Sequence, residues 1–317
     1  MTPQETVVAL TRHIREAVRP HLGAWQGRTI SGTAASGDAT FAIDDIAEEA
    51  IVSFIEREKL SVAYYSEDKG LIEFGKSPEG VLIIDPIDGT RPAVAGLETC
   101  VVSVALADYT ADVTMGDVRF GCIQEIKGDQ IFLAERGKGA RWIGSDGASL
   151  DLRLLPITEI ASAPLTYEIV ARPIEWIAVA LGDIINAAST KGGCFVFNST
   201  AYSLTRLLTG QLAAVLDVGA RILQDHPETR DRYVELGRGT PLGLFTYDIA
   251  AAALIATEAG AIVTDASGYS FDSTRLLDTS ESNLKSIVAA SNAVLHEKLM
   301  QAVDFGVAKI SVSGKGL

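Results

Sequence analysis

The chain has 317 residues, with 41 acidic and 27 basic side chains and a formal net charge of −14. Its 47% hydrophobic and 21% charged residues are ordinary globular proportions, which excludes a disordered chain, a collagen and a coiled coil. Such an acidic surface also excludes a bulk electrostatic binder of nucleic acid or anionic lipid, while an anionic substrate stays compatible if bound cations reverse the local field.

Residues 3–22 read as an amphipathic helix with Val7, Leu10, Ile14, Ala17 and Val18 on one face, ended by Pro20 and Gly23. Residues 42–60 read as a second helix, its stripe running from Ile43 through Ile46, Ala47, Ala50, Ile51 and Phe54 to Ile55. Short β-rich runs follow at 62–65, 81–85, 99–107, 118–126 and 130–135, the last two joined by the hairpin signal Lys127-Gly128-Asp129. The second half alternates: strands at 166–171, 194–197, 212–217, 261–264 and 286–290, and helices at 174–188, 200–209, 246–259 and 293–303. The pattern predicts an α+β lobe over 1–150 and an α/β lobe over 151–317, divided where Gly, Ser and Pro gather at 144–165. Segment 219–243, polar and rich in Gly and Arg, carries no clear pattern; a connection this long suits a lid.

Cys100, Cys122 and Cys194 are widely spaced and form no CxxC pair. They read as reduced thiols of a cytosolic protein. The first residues lack a signal peptide's apolar core, and no uncharged apolar run reaches the roughly 18 residues of a membrane span. The stretch Gly137-Lys138-Gly139-Ala140-Arg141-Trp142-Ile143-Gly144 argues against an NAD site: it is one residue off the G-x-G-x-x-G spacing and follows a hairpin rather than sitting inside a βαβ unit.

Four segments carry acids where chemistry needs them. The apolar run Val81–Ile84 stops at Asp85-Pro86-Ile87-Asp88-Gly89-Thr90. Proline cannot continue a ladder, so the strand is expected to leave the sheet there. Two carboxylates pinned together repel unless a cation lies between them, and Mg²⁺ prefers such oxygens while leaving positions for a phosphate. Gly89 would let backbone N–H groups approach that phosphate. Read alone, the stretch also suits a solvated Asp-Gly turn. Ser66-Glu67-Asp68 ends another β-like run and alone suits an acidic surface turn. Asp248 opens the Ala-rich helix, and Asp44 opens the helix of residues 42–60; either acid also suits a helix cap.

Taken together and in this order, the segments resemble the inositol monophosphatase family. Asp85–Thr90 matches its DPIDGT signature in full. Residues 247–261, YDIAAAALIATEAGA, resemble its second signature, W-D-x-A-A-x-x-x-I-x-x-E-A-G-G, and Ile287–Asn292 resembles its last strand. The resemblance spans about residues 36–304. It implies an α/β/α/β/α layered sandwich and a metal-dependent phosphomonoesterase. Glu67, Asp85, Asp88, Asp248 and the Ile87 carbonyl would hold two or three Mg²⁺. Gly89 and Thr90 would hold the phosphate, together with Asn198, Ser199 and Thr200 where the family has Gly-Ser-Ala. Asp44 would hydrogen-bond Thr90, and Glu67 with Thr90 would position the attacking water. Homodimers and lithium inhibition, frequent in the family, are further implied.

The chain departs from the family at Arg91, Pro92 and Ala93, where an Asn-Phe pair is usual, at Tyr247 for Trp, at Ala261 for Gly, and in the length of 219–243. These changes leave the metal core and alter the side that meets the alcohol. The substrate expected first is an inositol monophosphate, with fructose 1,6-bisphosphate or a 3′-phosphoadenosine nucleotide as alternatives. A non-catalytic phosphosugar-binding protein is the competing class. Arg221, Arg230, Arg232 and Arg238 would meet a second phosphate or else form a solvated face. His13, His21, His226 and His296 are scattered and read as structural or surface residues.

Overall fold

The computed structural model describes residues 1–34, 37, 39–78 and 80–310. Asp38, next to the acid-bearing second helix, lies outside them. The helices are α1 (Pro3–Val18), α2 (Ala42–Glu58), α3 (Thr90–Ala95), α4 (Ile174–Ala188), α5 (Thr200–Leu208), α6 (Gly219–Asp225), α7 (Arg230–Leu236), α8 (Thr246–Glu258) and α9 (Ala293–Ala308). The first strands are β1 (Ile30–Thr33), β2 (Ala39–Phe41), β3 (Val62–Ser66), β4 (Gly70–Phe74), β5 (Gly80–Asp88), β6 (Val101–Asp108), β7 (Val118–Glu125), β8 (Ile131–Glu135), β9 (Ala140–Ile143) and β10 (Ser149–Leu150). The later ones are β11 (Leu165–Tyr167), β12 (Cys194–Phe195), β13 (Ala214–Asp217), β14 (Ile262–Thr264) and β15 (Ile287–Ala290).

Among the described residues the strands form a β1–β2 hairpin, an eight-stranded sheet ordered β10-β9-β8-β7-β6-β5-β3-β4, and a five-stranded sheet ordered β12-β11-β13-β15-β14. The large sheet is antiparallel except for β3 beside β5. Its central strands are apolar on both faces because both are covered. From β5 and β6, Leu82, Ile84, Val102 and Val104 pack under α1 and α2, against Leu10, Ile14, Ile51 and Phe54. Val81, Ile83, Ala105 and Ala107 point the other way, into a cluster with Leu204 and Leu207 of α5 and Ile249, Ala250 and Ile255 of α8. Beyond α5 and α8 lies the smaller sheet, whose outer face is covered by Ile177, Leu181 and Ile184 of α4 and Leu295, Leu299 and Val303 of α9. The layers are therefore α/β/α/β/α, as the resemblance implied.

Local chemistry sets the ends. Thr2 and Glu5 cap α1 reciprocally: Glu5 N–H donates to Thr2 Oγ1 at 3.2 Å, and Thr2 N–H to Glu5 Oε2 at 2.8 Å. Pro20 ends the α-helix at Val18, so the first helix is shorter than expected and closes in a 3₁₀ turn over Arg19–His21. The Ala content of α8 has a packing cause: a Cβ placed on Gly121 of β7 would lie 3.0 Å from the Ala251 Cα, so helix and sheet meet nearly backbone to backbone.

Three expectations need correction. The strand does not leave the sheet at Asp85; β5 runs through Pro86 to Asp88, and its pairing with β6 shifts between Asp85 and Asp88. A bulge accommodates the proline, where no ladder N–H is required. The strand expected over 166–171 stops at Tyr167, and the chain then turns through Ala171, which lies in the left-handed region (φ 55°). Segment 219–243 is largely helical: α6 and α7 are joined by a 3₁₀ turn at Pro227–Thr229, and Tyr233 donates its hydroxyl to the Gly219 carbonyl at 2.9 Å. No helix among the described residues is long and apolar enough to cross a membrane.

Candidate active site

The bulge in β5 creates the site. Residues three apart in a regular strand face opposite sides; the extra residue between Asp85 and Asp88 turns both toward one cavity of about 110 Å³. Parallel pairing of β3 with β5 sets Ser66 beside Ile84, which delivers Glu67 to the same wall. Asp248, in the first turn of α8, lines the cavity as well. Glu67, Asp85, Ile87, Asp88, Gly89, Thr90, Asn198, Ser199, Thr200 and Asp248, far apart in sequence, all line this cavity. Asp44 does not line it but lies beside the Thr90 side chain, which helps to hold its carboxyl pKa down.

Each of the four aspartates is oriented by one oxygen. Asp85 Oδ1 accepts the Ile87 N–H at 3.1 Å. Asp88 Oδ2 accepts the Ser199 hydroxyl and the Ala201 N–H, both at 2.6 Å, and the Tyr202 N–H at 3.3 Å. The N-terminus of α5 thus cradles Asp88, and its positive dipole end favours the carboxylate. Asp248 Oδ2 accepts the Phe245 N–H at 2.7 Å, and Asp44 Oδ2 the Phe41 N–H at 2.8 Å. Capping and site chemistry are therefore not alternatives for these two helices: one oxygen caps, and the other remains. Ser199 differs from expectation, since its hydroxyl is committed to Asp88. Thr90 Oγ1 donates to the Ile87 carbonyl at 3.1 Å.

Gly89 has φ 89°, and a Cβ there would lie 2.6 Å from the Thr99 carbonyl oxygen and 2.9 Å from Ser199 Cβ. Only glycine fits between the bulge and α5.

The electrostatics are those of crowded like charges. Burial, then Asp88, Asp248 and Glu67, hold Asp85 well above the usual carboxylate range. Burial, then Glu67 and Asp88, do the same for Asp248, against the Phe245 amide and Arg172. Burial pushes Asp88 up to about 6 against its hydrogen-bond donors, and Asp44 up to about 8. Among the described residues no three His, Cys, Asp or Glu side chains make a ready-made metal cage; the acids ring the cavity instead. The donor set, hard carboxylate oxygens with uncompensated charge plus a backbone carbonyl, fits hard divalent cations. Among the described residues no histidine lines the cavity: His226 meets the Val307 carbonyl and His296 meets Thr264.

Sequence reasoning missed Glu168 and Arg172, which also line the cavity. Glu168 is nearly fully buried, its Oε1 has no hydrogen-bond partner, and burial raises it to about 8 in spite of Arg172. Arg172 pairs with buried Asp217 and donates to the Val170 carbonyl at 2.5 Å. The available signal was an acid inside an apolar run, Glu168 in TYEIVA and Asp217 ending LAAVLD. The arginines of the extra segment mostly turn away. Arg230 makes two 2.7 Å bonds to Glu281, Arg232 pairs with Glu175 and Glu235, and Arg221 pairs with Asp225 and Asp304.

The sequence profile of the inositol monophosphatase family matches residues 4–308. A fructose-1,6-bisphosphatase/inositol-1-monophosphatase of Methanothermobacter thermautotrophicus is 26% identical over 94% of this chain and 95% of its own length. The Nus factor SuhB of Vibrio cholerae is 31% identical over 74% of each chain. Among solved structures, the inositol monophosphatase of Thermotoga maritima superposes with a TM-score of 0.71 at 19% identity, covering 98% of this chain and all of that one; at that identity the likeness speaks for the fold. The chain belongs to the inositol monophosphatase family, enzymes that hydrolyse phosphoric monoesters.

Proposed function

We propose that this chain hydrolyses the phosphomonoester of a small phosphorylated polyol or sugar, with two or three Mg²⁺ ions held by Glu67, Asp85, Asp88, Asp248 and the Ile87 carbonyl. The supporting observation is the meeting of four carboxylates at one small cavity, where each of the three aspartates has one oxygen anchored by the protein. Bound there, the cations would neutralise the phosphate, lower the pKa of the attacking water and stabilise the leaving oxygen. The chain's own groups do the positioning. The α5 N-terminus holds Asp88 in place, Gly89 lets backbone amides reach the phosphate, and Asp44 keeps the Thr90 hydroxyl aimed at the water that Glu67 also orders. Reduced cysteines in a cytosolic homodimer complete the reading.

The test is phosphate release from a panel of phosphorylated polyols, sugars and nucleotides, with Mg²⁺ and with chelator. Mg²⁺-dependent turnover is expected, and Asp88→Asn should lower it at least about 100-fold while the circular dichroism spectrum is retained. Turnover that survives chelation, or an Asp88→Asn enzyme near wild-type rate, overturns the metal assignment.

A further inference from the structure

We infer that this chain has a second ligand site, separate from the acid-lined cavity, in which Arg12, Glu16 and Gln124 take an α-amino acid with an aliphatic side chain. The inference goes beyond the phosphomonoesterase reading and does not depend on it.

A cavity of about 290 Å³ lies between α1, the turn from β7 to β8 and the turn from β9 to β10. It shares no lining residue with the active cavity. Gln124 is the buried polar part of its lining, 2% exposed. The amide Nε2 donates to Asp129 Oδ1 at 2.9 Å, but Oε1 has no hydrogen-bond partner. A carboxylate only accepts, so the bond to Asp129 fixes which end of the amide is the nitrogen and leaves the oxygen as the unpaired end. A buried acceptor without a partner costs about 1–3 kcal/mol, and a native structure is expected to satisfy it. An occupant of the cavity that donates to Gln124 Oε1 would do so.

The charged groups of the lining divide in two. Arg15 is taken up by the fold: Nε donates to the Glu125 carbonyl at 2.8 Å, Nη2 to the Gly128 carbonyl at 2.5 Å, and Nη1 pairs with Asp129 at 3.3 Å. Arg12 and Glu16, four positions apart and so on one face of α1, also line the cavity. Among the described residues neither side chain has a hydrogen bond or an ion pair, with the other or with any other group. One cation, one anion and one buried acceptor therefore stand unused on a single cavity, beside carbon surface from Ile131 and Ile143. The matching occupant brings an anion for Arg12, a charged donor for Glu16 and Gln124 Oε1, and an apolar part. A guanidinium meets a carboxylate with two parallel hydrogen bonds, and an ammonium supplies three donors. An aliphatic α-amino acid combines all three features in one small molecule; an inorganic anion or a simple amine answers only one of the two charges.

The experiment is isothermal titration calorimetry of the full chain with leucine, isoleucine and valine. Two analogues of leucine run beside them: 4-methylpentanoate, which lacks the ammonium, and 3-methylbutylamine, which lacks the carboxylate. Saturable one-to-one binding of at least one amino acid is expected, with both analogues at least about tenfold weaker than leucine. Arg12→Ala and Glu16→Gln change exposed helix positions and should melt near wild type, yet each should weaken the bound amino acid at least about tenfold. Gln124→Leu, which removes the buried acceptor, should weaken it too. Absence of binding by all three amino acids, an analogue that binds as tightly as leucine, or unchanged affinity in both Arg12→Ala and Glu16→Gln overturns the site. The phosphatase reading then still stands, because none of these residues lines the active cavity; Mg²⁺-dependent phosphate release tests it separately.

Discussion

Asp88 ties the fold to the candidate site: three donors from the start of α5 hold a single oxygen, at the point where the chain passes the β5 bulge. The DPIDGT stretch was legible as a motif, yet nothing in its six residues says that Ser199, more than a hundred positions later, is its anchor. Gly89 ties the two segments. Gly89→Ala would require a left-handed alanine with its Cβ 2.6 Å from the Thr99 oxygen. It should cost about 1–3 kcal/mol in strain alone and lower turnover more than tenfold; thermal melts and phosphate release check both. Glu168 offers a pH test. Its carboxyl stands at about 8 in the folded chain, pushed up first by burial. Between the ordinary carboxylate range and pH 8 the folded state therefore holds a proton that the unfolded state has released, so stability falls as pH rises through that window. Glu168→Gln removes this contribution. Relative to wild type it should gain stability, on the order of a few kcal/mol, as pH rises from 5 to 8 in metal-free buffer. Urea titrations at each pH measure the difference, and an unchanged difference would reject the assigned cause.

At the scale of elements, helix periodicity was readable where a helix buries one stripe on one sheet, as α1 and α2 do: Leu10 and Ile14, or Ile51 and Phe54, needed no knowledge of the partner. The small strands β9, β10, β1 and β2 were missed because they are short and lie partly or, for β1 and β10, wholly exposed, without the apolar alternation that marks a strand. Helix α8 was recognised by its alanines, but their purpose lies in the contact with Gly121, whose Cβ would meet Ala251. Ala251→Leu should force helix and sheet apart, lowering stability by about 1–3 kcal/mol. Because α8 also places Asp248, turnover should fall as well, and an accompanying Mg²⁺ titration should show weaker binding. Stability and Mg²⁺ affinity unchanged from wild type would mean that the helix has room to spare.

For the molecule as a whole, the acids that make the site also burden the fold. Desolvation raises the affinity of Asp85, Asp88 and Asp248 for protons, and Asp88 raises that of Asp85 and Asp248 further, so the chain without cations carries a strain that divalent ions would relieve. Ligand linkage then predicts that Mg²⁺ at about 100 times its Kd adds about 2.7 kcal/mol, seen as a rise of several degrees in Tm. The rise should be largely lost in Asp88→Asn, and that variant should melt higher than wild type in chelator. Equal Mg²⁺ shifts in the two proteins would place the ions elsewhere.

Amphipathic stripes, turn residues and the order of the four acidic segments are properties of neighbouring residues, so the sequence alone determined the main helices, most long strands, the family and its metal-dependent chemistry. Juxtaposition is not such a property. That Asp85 and Asp88 share a face depends on a bulge in the pairing with β6. That Glu168 and Arg172 reach the cavity depends on how β11 packs. Hydrogen bonds, burial and like-charge repulsion across a hundred residues of separation exist only once the layers have closed, and tertiary structure alone decided them.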